Sequence, residues 1–153
     1  MKFATCNEYF ENWSIEDVFS YAGDLGYDGV EIAPFTIAES VDKISGHRRR
    51  EIRAAAERSG VEIVGLHWLL ASPKGLYITH PDKSIYSRTR EYFQSLIQFC
   101  GDLGGQVMIV GSPMQRNVLE GWDRSDCWDR MRATFEESLH LAEKMGVFLC
   151  IEA

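Results

Sequence analysis

Leu25-Gly26-Tyr27-Asp28-Gly29-Val30-Glu31-Ile32 is the stretch on which the fold turns. Before it, Ile15, Val18, Phe19, Ala22 and Leu25 recur at spacings of three and four, the mark of one apolar helix face. Ser14 stands where an N-cap belongs, and Glu16 and Asp17 place acids in the first turn, where the helix dipole favours them. Gly26 then supplies the left-handed conformation that ends a helix. A short apolar run follows at once, and it closes on an acid, Glu31.

The same unit returns three times. Ser59-Gly60-Val61-Glu62-Ile63-Val64-Gly65-Leu66 is the second instance. Leu103-Gly104-Gly105-Gln106-Val107-Met108-Ile109-Val110 is the third, and Met145-Gly146-Val147-Phe148-Leu149-Cys150-Ile151-Glu152 the fourth. The runs after the glycines are β-branched and almost continuously apolar, as strands covered on both faces are. Between them lie three more helical stretches. The first carries Ile52, Ala55, Ala56 and Ser59. The next, from about Ser84, presents Ile85, Tyr92, Phe93, Leu96, Ile97, Cys100 and Leu103. The last, from about Ser125, presents Trp128, Met131, Phe135, Leu139, Ala142 and Met145. With an opening strand at about Lys2–Cys6, the order is β-α-β-α-β-α-β-α-β. Such alternation requires right-handed crossovers and a parallel sheet.

Two α/β architectures fit five parallel strands and four helices. A doubly wound open sheet normally covers its last strand with a further helix, but here the chain closes on a strand. It also lacks a glycine-rich phosphate loop after the first strand. The reading is therefore a partial (β/α)₈ barrel of the TIM type, with residues 1–153 as a single domain. A complete barrel takes about 250 residues. The natural protein is expected to continue beyond the fifth strand, or else this chain pairs with another half. Five strands leave two unpaired edges, an association hazard, so self-association through them is expected.

Composition narrows the function. Hydrophobic residues make up 45% and charged residues 25% of the 153, as in ordinary globular proteins. No apolar run is long enough to span a bilayer, and Asn7, Glu8 and Glu11 interrupt any signal-peptide pattern. The expectation is a cytoplasmic protein with no membrane partner. The formal charge of −7 disfavours nucleic acid, whose binders carry basic patches. Arg48-Arg49-Arg50 is read as a solvated helix face. Cys6, Cys100, Cys127 and Cys150 form no Cys-x-x-Cys pair, and the three of them that sit in apolar or periodic segments read as small hydrophobes.

Polar groups at the carboxyl ends of the strands are the candidate site, because loops at that end carry the chemistry of barrels and open sheets alike. Glu31 ends the second strand and could contact substrate or support a group that does. His67 ends the third strand and could face substrate or metal. Trp68, with Trp13, offers an apolar wall to a substrate. Ser112, Gln115 and Arg116 follow the fourth strand, and Arg116 suits an anionic substrate group. Glu152 follows five apolar residues, where a charge is rarely incidental. The loop from about Leu69 to Lys83 is the longest. His80 within it reads as a turn residue, and Lys74 as an ordinary exposed lysine.

Taken together, Gly26–Ile32, Gly65-Leu66-His67-Trp68, Gly75–Asp82, Gly111-Ser112-Pro113-Met114-Gln115-Arg116 and Cys150-Ile151-Glu152 resemble the sugar phosphate isomerase/epimerase group of xylose-isomerase-like barrels. The resemblance covers essentially the whole chain. It implies metal-dependent isomerisation or epimerisation of a sugar or sugar phosphate, through proton transfer alpha to a carbonyl and an enediolate. It implies that Glu152 is both the first ligand of a divalent metal (Mn, Mg, Co or Zn) and a proton-transfer group. The other ligands, an aspartate, a histidine and a second glutamate, come from later strands. Metal binding by this chain alone is therefore expected to be weak or absent. Two other functions fit the same barrel. One is a phosphodiesterase of the endonuclease IV type, which also places a histidine at the end of strand four, where Gly111-Ser112-Pro113 stands here. The other is a non-catalytic half-barrel that assembles with another chain.

Overall fold

The structure is a computed structural model and describes all residues except Ser112 and Ala153; of Pro113, the backbone alone is described. Its sheet has five parallel strands in the order β1-β2-β3-β4-β5: Ala4–Cys6, Gly29–Ile32, Glu62–Leu66, Val107–Val110 and Phe148–Ile151. Four helices connect them in turn: α1 (Ile15–Asp24), α2 (Gly46–Arg58), α3 (Lys83–Leu103) and α4 (Arg124–Met145). Sequential parallel neighbours joined by helices are the barrel pattern, and a doubly wound sheet would reverse its strand order. The first strand begins two residues later than the sequence suggests, at Ala4 rather than Lys2.

Each helix stops as its glycine dictates. Gly26, Gly60, Gly104 and Gly146 have φ of 81°, 70°, 85° and 69°, a region costly for any residue with a Cβ. Side-chain caps start the helices: Ser14, Ser45, Asp82 and Asp123 each accept a hydrogen bond from a backbone N–H of the first turn.

One core lies between the sheet and the helix layer. Val30, Ile32, Leu66 and Met108 turn one sheet face into it, against Phe19, Ile52, Phe93 and Leu96 from the helices. Alternation sends Glu31 to the other face, where it is half-buried. Pairing between β2 and β3 slips by one residue between Val30 and Glu31, so that Glu31 sits opposite Gly65. Such bulges re-aim side chains near the rims of barrels.

The long loop after β3 is packed, not free. Leu69, Leu70, Leu76 and Ile78 are buried. The Ile78 amide donates to the Gln115 carbonyl at 2.9 Å, the Thr79 hydroxyl to the Asn117 carbonyl at 2.8 Å, and Arg130 Nε to the Thr79 carbonyl at 3.0 Å. His80 does take a turn role, its Nδ1 accepting from the Asp82 amide at 3.0 Å.

Three expectations fail. The first concerns the solvated basic run. The Arg49 side chain is only 13% exposed. Its guanidinium donates to Asp102 at 2.8 Å and to the Val41 and Ile44 carbonyls at 2.9 and 3.0 Å, with its carbon 5.2 Å from the Phe99 ring centre. Arg48 pairs with Glu16 through both guanidinium nitrogens, one at 3.1 Å. A planar fork with five donors suits such bridging between elements, and a count of charges cannot show it.

The second concerns α4. Trp128 and Leu139 are exposed, at 63% and 56%. The helix is rolled so that small residues, Cys127, Thr134, Ser138 and Ala142, face inward. The buried hydroxyls are satisfied locally, Thr134 by the Arg130 carbonyl and Ser138 by the Thr134 carbonyl, so polarity is no barrier to their burial. Leu25, at the foot of α1, is likewise exposed.

The third concerns cysteine. Cys100 and Cys127 are buried, but Cys6 is half-buried in a polar contact and Cys150 is exposed. Phe148 and Ile151 beside Cys150 are exposed too, so β5 presents an uncovered apolar edge. Among the described residues, no helix is long and apolar enough to cross a membrane.

Candidate active site

The carboxyl ends of the five strands bring the candidate residues into two groups. The first spans β1 to β3. Cys6 pairs in register with Glu31 on β2, and the His67 amide donates to the Ile32 carbonyl at 3.0 Å, which holds His67 at the end of β3. The His67 imidazole contacts the Cys6 thiol across the intervening strand, through Nε2, with Nδ1 3.9 Å away. Burial pushes the Cys6 thiol up to about 11, an effect that the nearby carboxylates of Glu8 and Glu31 reinforce.

The chain between Cys6 and Glu8 is locked by Asn7. Its side chain is buried, its Oδ1 accepting from the Ala33 amide and its Nδ2 donating to the Thr36 hydroxyl, both at 2.7 Å. That clamp fixes a single turn of 3₁₀ helix, Asn7–Tyr9, directly after β1. Trp68 follows His67 with φ of 52°, a left-handed conformation unusual for a bulky residue. Backbone strain of this kind clusters at functional sites, where the surroundings over-determine it. Trp68 is 43% exposed. Trp13 is not paired with it; it packs edge-on against Tyr21 and tilted against Phe10, with ring centres 5.4 and 5.5 Å apart.

The second group lies at β4 and β5. The Glu152 amide donates to the Val110 carbonyl at 3.3 Å, which continues the strand pairing past Ile151. Its carboxylate leans back over Gly111, so close that a methyl group there would overlap Oε2. Arg116 Nη2 donates to the Gly111 carbonyl at 3.4 Å and so approaches the same glycine. Ser112 lies outside the described residues. Among the described residues, no hydrogen bond or ion pair joins the two groups.

Sequence reasoning missed Cys6, Asn7 and Glu8. The available signal was position, since Cys6 ends the first strand and Asn7 and Glu8 follow it, much as Glu31 lies near the end of β2 and His67 follows β3. A cleft of about 340 Å³ also opens beside Asn7, between the starts of α1 and α2. Its cations are already engaged, Lys43 by Glu39 and Arg48 by Glu16, so it offers no free charge to a ligand.

This arrangement, a parallel arc with its polar groups at the carboxyl ends, has a family behind it. The xylose isomerase-like TIM barrel family matches residues 19–153. The chain belongs to that family. No curated protein matches it by sequence. Solved structures share the fold. A D-psicose 3-epimerase crystallised with D-fructose is 16% identical, with a TM-score of 0.80, over 100% of this chain and 52% of its own. The D-psicose 3-epimerase of Clostridium cellulolyticum H10, crystallised with D-tagatose, is 18% identical at a TM-score of 0.80, with coverage of 100% and 52%. The 3-keto-D-glucoside 4-epimerase of E. coli is 15% identical at 0.74, with coverage of 99% and 55%. The chain thus spans about half the length of these structures, and five strands and four helices are a partial barrel of the family's kind.

Proposed function

We propose that this chain is the first-half portion of a sugar isomerase or epimerase, and that Glu152 is its proton-transfer group. The observation that carries the reading is the position of Glu152. Its carboxylate stands at the carboxyl end of a parallel barrel strand, over Gly111, whose carbonyl accepts from Arg116. The relatives in fold, epimerases of D-psicose and of a 3-keto-glucoside, act on sugars. Isomerising or epimerising a sugar next to its carbonyl begins with loss of the proton on the carbon alpha to C=O. Glu152 takes that proton. The C–H electron pair moves into the adjoining C–C bond, and the carbonyl oxygen takes up the charge as an enediolate. Return of a proton to either carbon or face completes the reaction. General-base catalysis of this kind contributes about 10²–10⁴ in rate.

His67 and Glu31 would hydrogen-bond sugar hydroxyls, Trp68 would offer an apolar face, and Ser112 and Arg116 would meet the far end of the substrate. Arg116 is suited to a phosphate or other anionic group. Such a protein would reside in the cytoplasm and take a small sugar as its partner.

The divalent metal implied by the family resemblance is not accounted for by the residues present. Among the described residues, Glu152 belongs to no group of three or more histidine, cysteine, aspartate or glutamate side chains. A hard cation takes about six oxygen ligands, and one carboxylate does not hold it. The further ligands would come from later strands, so no step is assigned to a metal here.

The test is solvent exchange. The full-length protein is incubated with ketohexoses in D₂O and the sugar followed by proton NMR. Loss of the signal of a proton alpha to the carbonyl is expected. Failure to exchange any ketose, together with cleavage of abasic-site DNA, would overturn the reading in favour of a phosphodiesterase.

A further inference from the structure

We propose that Cys6, Glu8 and His67 form a site for a borderline-soft divalent cation of the zinc class, distinct from any centre built on Glu152. Thiolate, carboxylate and imidazole would supply three ligands, and a fourth position would stay open to water or a substrate oxygen. One donor atom from each of the three side chains lies within 4.8 Å of the other two, and this is the one such gathering among the described residues. Two donors on a single tetrahedral ion, bonded at about 2.0–2.3 Å, stand roughly 3.5 Å apart, so the three side chains need only small adjustments to meet on one ion. All three are half-buried, which gives access to an ion while limiting competition from water.

The ligands come from two segments that are each held in place. Cys6 and Glu8 flank Asn7, whose buried amide group is bonded to Ala33 and Thr36. His67 is tied to β2 through the Ile32 carbonyl. Fixed supports of this kind orient metal ligands, and their loss typically weakens binding 10- to 100-fold. The donor set also selects the ion. A thiolate with an imidazole favours zinc and its soft neighbours over magnesium or calcium, which prefer oxygen alone. Three protein ligands with an open fourth position are the arrangement of catalytic rather than structural zinc. At the carboxyl ends of β1 and β3, that position would face the same mouth as Glu31.

Binding as a thiolate, Cys6 would release its proton to solvent, so uptake of the ion would depend on pH. Cobalt(II) is the probe, because a thiolate bound to it gives a near-ultraviolet charge-transfer band that carboxylates cannot give. Metal-free full-length protein titrated with Co²⁺ is expected to show the band, and Zn²⁺ to bleach it. Cys6→Ser should abolish the band, and Glu8→Gln should weaken Co²⁺ binding at least 10-fold. Glu152→Gln should leave the band, and the Co²⁺ affinity read from it, unchanged, so the outcome is independent of the proton-transfer assignment. Absence of the band in the unaltered protein overturns the site, and this result needs no variant to fold. A band that survives Cys6→Ser, or that disappears with Glu152→Gln, overturns it as well.

Discussion

The carboxylate of Glu152 lies over the Cα of Gly111 on the neighbouring strand, in space that any side chain at 111 would occupy. The glycine therefore does more than end β4, since its missing Cβ lets the acid fold back across the sheet's edge. Gly111→Ala should push the carboxylate outward without disturbing the core, because Oε2 is the far end of a flexible side chain. The expected result is a loss of about 10-fold in kcat, equivalent to ~1.4 kcal/mol of transition-state stabilisation, with a nearly unchanged melting temperature. Steady-state kinetics beside a thermal melt check this. A melt lowered by many degrees would mean that Gly111 serves the fold instead.

Arg49 should matter to stability far more than an exposed helix arginine would. It joins α2 to Asp102 on α3 and satisfies two carbonyls in the segment between β2 and α2. Arg49→Lys keeps the charge and loses the fork, leaving carbonyls short of donors. A cost of about 1–3 kcal/mol is expected from urea unfolding. Arg50→Lys, one residue on and exposed, should cost less than ~0.5 kcal/mol.

The Glu16–Arg48 pair makes one contribution to acid sensitivity. Its hydrogen bonds and charge hold the Glu16 carboxyl below the usual carboxylate value of 4.5. The folded state therefore binds this proton less readily than the unfolded chain does. The pair's contribution is complete above pH 4.5 and is lost as pH falls through the lowered value. With both side chains more than a third exposed, at 39% and 35%, it should amount to about 0.5–1 kcal/mol at most. Denaturant unfolding of Glu16→Gln between pH 3 and 7 should show a deficit at neutral pH that vanishes at the acid end. A constant deficit would assign the effect to packing.

Exposed apolar residues on α4 and β5 predict association of the isolated 153-residue chain. Trp128, Leu139, Phe148 and Ile151 are each more than half exposed, beside the open edge of β5. Size-exclusion chromatography with light scattering should give a mass above 17.4 kDa at micromolar concentration. Trp128→Glu with Phe148→Lys should shift it toward monomer. A monomer with a cooperative melt in the unaltered chain would show that the face tolerates water.

Much of the fold was legible because it depends on local chemistry. Four glycines that end helices, each followed by an apolar run, give strand order and parallel pairing directly. The roll of α4 was not legible. Trp128 and Leu139 share the apolar stripe with Phe135 and Met131, and only the fit of small residues against the layers beneath decides which side faces inward. Arg49 was misread for a related reason, since its partners Asp102, Val41 and Ile44 lie on other segments. For the site, position at a strand end singled out Glu31, His67 and Glu152. It could not show that Cys6 meets His67 over an intervening strand, nor that Glu152 leans on Gly111. Both are contacts between strands: the first spans β2, whose register with β3 slips at Glu31, and the second follows from the unshifted pairing of β4 with β5.

The most direct test of the central claim is the rate of alpha-proton exchange in Glu152→Gln. The amide keeps the size and hydrogen-bonding reach of the carboxylate but cannot take a proton. In the full-length protein, exchange of the ketose proton with D₂O should fall by at least 10²-fold, while the Kd for the sugar stays within about threefold. Exchange at the unaltered rate would contradict the account and place the proton-transfer group elsewhere.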